Sequence, residues 1–191
     1  MQHPKSLQPL PKHARKVFEG TLFSVWQWEQ QLFDGSTQIF EKVSRSPSVG
    51  VLPVTTDNKI ILTVQEQPGM AEFTSLVGGV VDPGENVTQA AHRELLEEAG
   101  VTAAELELWY SVQPVTKIEW PIYLFIARGC KRVAEMQLDP GEKIELRYVT
   151  WEEFLEVIYL ETFRDQEVAL RILKLLRNKT QLQELKDFIF G

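Results

Sequence analysis

Residues 79–101 read GVVDPGENVTQAAHRELLEEAGV, and no other stretch constrains the chain as tightly. Asp82-Pro83-Gly84-Glu85 is a turn, because proline fixes φ and glycine tolerates positive φ. Asn86 followed by Gln89 is an N-cap with a capping box. Val87 to Ala99 holds no glycine or proline and is rich in Ala, Leu and Glu, so the spacing predicts a helix over 87–99. Gly100 stands where a glycine ends a helix. At 100° per residue, Glu94, Glu97 and Glu98 fall within an arc of roughly 100°. Ala91, Leu95 and Ala99 lie beside them and face a core. Like charges so close cost an isolated helix a few tenths of a kcal/mol per pair. Most glutamate runs are solvated faces. The glycine turn ahead of this one favours a second reading, in which the carboxylates hold a hard divalent cation such as Mg²⁺, which takes oxygen ligands. Arg93 precedes Glu97 by four residues and is assigned to orienting the carboxylates, with Glu85 in the same network.

The frame is Gly79, five residues, Glu85, seven residues, Arg93-Glu94-Leu95, one residue, Glu97-Glu98, one residue, Gly100-Val101. It resembles the Nudix box, the signature of the Nudix hydrolases, at every fixed position. Seven positions are fixed in type, and at roughly 5–10% usage per residue type they coincide by chance about once in 10^8 starting points. The resemblance implies a Nudix-type α/β/α sandwich with a mixed sheet, in which the box is a loop–helix–loop at the edge of a cleft. It also implies hydrolysis of a nucleoside diphosphate linked to another group. Mg²⁺, with Mn²⁺ as a substitute, would be held by Glu94, Glu97, Glu98 and a backbone carbonyl at Gly78. The catalytic set would be Glu98, Glu97, Arg93 and a loop carboxylate. Glu142 is the first choice for that carboxylate and Glu145 the second, both in the stretch Asp139-Pro-Gly-Glu142-Lys-Ile-Glu145.

The 191 residues, 43% hydrophobic and 25% charged, suit one globular domain with a small appended unit. A net charge of −7 argues against general nucleic-acid binding, which needs basic surface. A small anionic substrate remains compatible if a few cations and a metal line its site. The single cysteine, Cys130, excludes an internal disulfide and suits a reducing cytoplasm. The N-terminal residues hold no apolar stretch of signal-peptide length, and no window reaches the ~20 apolar residues of a membrane span.

Residues 1–16, with three prolines and several basic residues, read as a loose arm. Thr21–Phe33 and Ser36–Val43 read as an antiparallel hairpin around Asp34-Gly35. Val49–Thr55 and Lys59–Val64 form a second hairpin, and Phe73–Val77 leads into the box. Leu106–Val112, Ile122–Ala127 and Ile144–Val149 read as strands. Thr150 opens a short helix with Glu153, Phe163–Arg177 is an amphipathic helix, and Thr180 starts a last short one. The whole is α+β. Residues 1–46 are assigned as arm and hairpin, serving dimerisation and the substrate base, and 47–191 as the catalytic domain.

Beyond the box the chain resembles the ADP-ribose pyrophosphatase and nucleoside-diphosphate-sugar branch. It shares an N-terminal hairpin, the stretch Glu41-Lys-Val-Ser-Arg45 before Val49-Gly-Val-Leu-Pro53, and a late helix after Asp165. It departs at Gln67, where that branch carries arginine, and at Ser75-Leu-Val-Gly-Gly79, where it carries Glu-x-Pro-Ala-Gly. Its marker proline falls at Pro114, in a shortened loop. The resemblance implies a nucleotide-sugar substrate and a homodimer built on the hairpin. Phe23 and Trp28 are candidates for stacking on the base, against the alternative of filling a β-core or interface with Trp26 and Phe33. Arg45 and Lys117 are candidates for phosphate contact. Two rival functions are an enzyme clearing damaged nucleoside triphosphates or dinucleoside polyphosphates, and a Nudix-fold sensor without catalysis. The N-terminal hairpin argues against the first and the complete set of box glutamates against the second.

Overall fold

The computed structural model describes residues 3–191, so the first two residues of the arm lie outside the described residues. Two sheets organise the chain. The first has the order β1-β2-β3-β9, from β1 (Arg15–Glu19), β2 (Ser24–Gln31), β3 (Thr37–Ser44) and β9 (Ile118–Glu119). β1, β2 and β3 run antiparallel, and β9 joins β3 in parallel from far along the chain.

The second sheet has the order β11-β5-β4-β10-β7, with β6 on β5 and β8 on β10. Its members are β4 (Ser48–Thr55), β5 (Ile60–Glu66), β6 (Phe73–Ser75), β7 (Val101–Thr102), β8 (Glu105–Val112), β10 (Ile122–Arg132) and β11 (Lys143–Val149). β10 lies parallel to β4, while its other pairings are antiparallel, so the sheet is mixed.

Side chains alternate across a strand, and this sheet is apolar on both faces. Val49, Val51, Ile61, Phe125 and Ala127 point one way, onto Ala90, Ala91, Leu95 and Ala99 of α1 (Val87–Ala99). Leu52, Val54, Ile60, Leu62, Leu124 and Ile126 point the other way. They meet Phe154 of α2 (Trp151–Val157), Val168 and Ile172 of α3 (Gln166–Leu175), and Leu185 and Ile189 of α4 (Lys179–Phe190). The result is an α+β, α/β/α sandwich, as the box resemblance implied. Among the described residues no helix is long and apolar enough to cross a membrane.

Four local expectations change. The arm is not loose: Arg15–Glu19 forms the edge strand β1, and Ser6 and Gln8 accept hydrogen bonds from Lys42. The N-terminal unit is therefore more than a two-stranded hairpin. Its aromatics do not share one fate, since Trp28 is buried, Phe23 is exposed and Phe33 stands fully in solvent. The helix expected from Phe163 begins at Gln166, because Phe163 is buried and bridges to Thr74 instead. The last helix is a full 12 residues, capped by Asn178 rather than begun at Thr180.

Candidate active site

The box folds as its own sequence dictates. Asn86 accepts from the backbone N–H groups of Thr88 and Gln89, and Gln89 returns the bond to the Asn86 N–H at 2.9 Å. Gly100 closes the helix at φ 64°, a left-handed conformation that glycine takes without penalty. Between these caps the apolar face of α1 is pinned to the sheet, and the glutamate arc is carried to its edge.

Arg93 gathers the carboxylates. Its guanidinium donates to Glu85 through Nε and Nη2 (both 3.1 Å), to Glu94 (2.8 Å) and Glu97 (2.9 Å) through Nη1, and to the Val80 carbonyl (2.9 Å). Glu85 above all, followed by Glu97 and Glu94, raises the arginine further above its ordinary value. The same bond from Arg93 holds Glu85 below the usual carboxylate range. Glu98 lies deeper, 4% exposed, and accepts the Gly78 N–H at 2.8 Å. The two glycines make this approach possible. A Cβ at Gly78 would sit 2.2 Å from the Val49 carbonyl oxygen, and one at Gly79 2.3 Å from Glu94 Oε1.

These residues face a cleft of about 530 Å³. It is lined by Asp82, Glu94, Glu97, Glu98, Asp139 and Glu142, six carboxylates, against the two guanidinium groups of Arg45 and Arg93. Burial is the main reason that Glu94 is pushed up to about 7 and Glu98 to about 8; Glu142 adds to both, and the Arg93 and Gly78 bonds offset only part. Such a site is short of positive charge. Its donors are all hard oxygens, which fit a hard divalent cation. As the side chains stand, Arg93 and the Gly78 N–H occupy carboxylate oxygens, and among the described residues no trio of His, Cys, Asp or Glu is closed into a cage. A cation entering the cleft would have Glu94 Oε2 and Glu97 Oε1 to bind without displacing Arg93.

The far wall of the cleft comes from the turn before β11. The Glu142 N–H donates to the Asp139 carbonyl at 2.9 Å, and the Gln137 N–H donates to the Glu97 carbonyl at 2.8 Å, tying this loop to α1. A second cavity, of about 450 Å³, opens beside the first and shares Arg45, Gly78, Gly79 and Val80 with it. Its lining is mostly apolar, with Pro114, Val115, Trp120, Ile122 and Leu124, and Asp165 and Glu167 at its polar edge. Asp165 precedes α3, yet its side chain accepts from the Leu76 N–H at 2.7 Å instead of capping the helix, and burial pushes it up to about 6.

Arg93, Glu94, Glu97, Glu98, Gly78, Glu142 and Arg45 therefore meet in one cleft. Arg45 stands at the junction of the two cavities, with its guanidinium 4.6 Å from the Trp120 ring centre and 5.8 Å from that of Phe23. Glu145 does not line the cleft; it is exposed on β11, opposite Val64. Trp28 is 4% exposed, edge-on to Phe40 at 6.0 Å, with its Nε1–H on Gln30. Lys117 lines a separate hollow and sits 5.0 Å over Phe40. Sequence reasoning missed Gln65, Gln137, Asp139 and Trp120. Asp139 shares its turn with Glu142 and carried a signal. A lone glutamine on a strand and a tryptophan between Glu119 and Pro121 carried none.

Comparison with known proteins places the chain. The family description "NUDIX domain" matches residues 44–171. The chain is 28% identical over 186 residues to a Bacillus subtilis protein named ADP-ribose pyrophosphatase, covering 95% of this chain and all of the relative. It is 27% identical over 175 residues to the methanol dehydrogenase activator of Bacillus methanolicus, covering 90% of this chain and 91% of that one. A solved structure described as an ADP compounds hydrolase superposes with a TM-score of 0.71 at 20% identity, over 94% of this chain and 97% of the other, a likeness of fold. With the glutamate helix, its glycine loop and the sandwich around them all accounted for, the chain belongs to the NUDIX family of hydrolases, and its likeness runs to the ADP-ribose pyrophosphatase branch.

Proposed function

We propose that this chain hydrolyses the diphosphate linkage of a nucleoside diphosphate sugar, with ADP-ribose as the leading substrate. The observation that carries this reading is the pairing of two cavities. An acidic, cation-seeking cleft lies beside a mainly apolar pocket, and the two share Arg45, Gly78, Gly79 and Val80. A diphosphate fits the first and a ring-bearing group the second. The Bacillus subtilis relative named ADP-ribose pyrophosphatase supports the choice of substrate.

Glu94, Glu97, Glu98 and the Gly78 carbonyl would hold Mg²⁺, with Mn²⁺ able to replace it. When bound, the ion neutralises the diphosphate and polarises phosphorus toward attack. Arg93 keeps Glu94 and Glu97 aimed at the cleft, and Glu85 holds Arg93. Arg45 offers a planar donor to the phosphate at the junction. Glu142 takes the proton of the attacking water, in place of Glu145, which faces solvent. One P–O bond of the bridge breaks and two phosphomonoesters leave; for ADP-ribose these are AMP and ribose 5-phosphate. Catalysis is positioning plus electrostatic stabilisation. The test is product analysis over ADP-ribose, GDP-mannose, dinucleoside polyphosphates and dNTPs, with Mg²⁺ and then with EDTA. AMP from ADP-ribose only with metal is the expected result. Turnover in chelator, or exclusive cleavage of dNTPs, overturns the reading.

The N-terminal unit, residues 1–46, is proposed as the dimerisation element beside a catalytic unit of 47–191. Val17, Phe18, Leu22, Phe23 and Ile39 leave apolar surface exposed there, which supports an isologous homodimer. Phe23, beside Arg45, is the better candidate for a base contact than the enclosed Trp28. A monodisperse species near the 22.0 kDa chain mass by light scattering would exclude the dimer.

A further inference from the structure

Lys42 is the largest puzzle outside the cleft. It is 1% exposed, yet it sits on β3 of the N-terminal sheet and lines neither cavity. An ammonium group has three donors, and all three are used: Ser6 Oγ at 2.7 Å, the Gln8 carbonyl at 2.7 Å and Glu119 Oε2 at 2.5 Å. The second oxygen of Glu119 accepts from Gln113 Nε2, which also reaches the Pro4 carbonyl at 3.4 Å. Gln113 Oε1 in turn accepts the backbone N–H of Trp120 at 2.9 Å. A buried ion pair so completely bonded is costly to assemble and earns little net stability. It does fix geometry.

What it fixes is the wall of the apolar pocket. Gln113 and Glu119 bracket the loop that bears Pro114 and Val115, and Trp120 follows Glu119 directly. The Trp120 Nε1–H donates to Ser48 Oγ at 2.9 Å, which sets the indole plane. The Arg45 N–H donates to the Glu119 carbonyl at 3.1 Å, and the Arg45 guanidinium lies over that indole at 4.6 Å. Among the described residues its buried Nε has no hydrogen-bond partner, so the rings of Trp120 and Phe23 hold this end of the side chain.

We infer that Lys42 is a positioning residue: sealed by the N-terminal segment at Ser6 and Gln8, the Lys42–Glu119–Gln113 network sets Trp120 and Arg45, and thereby the affinity for the non-metal half of the substrate, without touching it. The inference rests on the apolar pocket being the seat of that half. It assigns the N-terminal segment a share in substrate affinity, although that segment lines neither cavity.

The test uses Lys42→Met and Gln113→Ala in the full chain. Gln113→Ala keeps both charges of the ion pair and removes the bonds to Glu119, Pro4 and the Trp120 N–H, so it serves if Lys42→Met folds poorly. Hydrogen exchange is followed on residues 113–121 and 87–99, alongside kcat and KM for ADP-ribose at saturating Mg²⁺. Faster exchange at 113–121 with 87–99 unchanged is expected. KM should rise about tenfold or more while kcat stays within about threefold. A fall in kcat with KM unchanged, or unaltered exchange at 113–121 in both variants, overturns the positioning role. If the unaltered protein does not turn over ADP-ribose, the substrate reading fails instead, and the exchange result alone decides whether the network holds the loop.

Discussion

Two clusters of enclosed charge sit in this molecule, and they treat a glutamate in opposite ways. At Glu119, burial alone would raise the acid, but the bonds from Lys42 and Gln113 outweigh it and hold the group below the ordinary carboxylate range. At Glu98, burial wins over the Gly78 N–H, and repulsion from Glu94 and Glu142 adds to it, so the acid is pushed up to about 8. The first cluster is closed, with every ammonium donor spent on a protein acceptor. The second holds six carboxylates against two guanidinium groups and opens to solvent. Completeness of pairing separates a device for holding shape from a site waiting for a ligand. A buried carboxylate by itself points to neither.

The sharpest way to break this comparison is Glu98→Gln. The amide keeps size, helix propensity and an acceptor for the Gly78 N–H but removes the charge. kcat should fall by about 10^2–10^3, the cost of losing a central charge-stabilising group. The metal-free variant should melt no lower than the parent, since a poorly solvated carboxylate has gone. Near-normal kcat would reduce Glu98 to a structural group and erase the contrast with Glu119.

A smaller effect sharpens it. Glu94 and Glu98 are raised from 4.5 to about 7 and about 8 without metal. A raised acid contributes stability in full below its unfolded value and loses it as pH climbs through the folded one. The metal-free protein should therefore lose stability between about pH 5 and pH 8. Metal binding needs the deprotonated forms, so the rise in melting temperature given by Mg²⁺ should be larger near pH 8.5 than near pH 6, by several degrees. A shift that is equal at both pH values, or larger at the acid end, would mean that the ion binds elsewhere.

The same contrast explains what the sequence disclosed. α1 was legible from end to end because its caps and its glutamate arc all lie between Asn86 and Gly100, in rules that act between neighbours. Glu142 was reachable because its turn is local too. The Lys42 cluster was not legible: its acceptors lie 36, 34 and 77 residues away, and nothing around Ser6 or Glu119 marks them as partners. The proline-rich segment that looked loose is anchored by a contact which exists only after folding. Phe163 had the right helical phase but was claimed by the sheet, through its bridge to Thr74. Trp28 had the right chemistry for a base but was taken by Phe40. In each case a tertiary competitor won over a local propensity.

The bond from the Gln137 N–H to the Glu97 carbonyl has a wider consequence. It hangs the loop of Glu142 on the same helix that carries the candidate metal ligands, so the proposed base and the proposed ligands share one chassis. The Trp120 loop hangs on another, through Lys42 and Glu119. A change in the length or composition of that second loop is therefore expected to leave the distances among Glu94, Glu97, Glu98 and Glu142 as they are. What the pocket accepts and what the acidic cleft does to it are thus held by separate parts of the molecule.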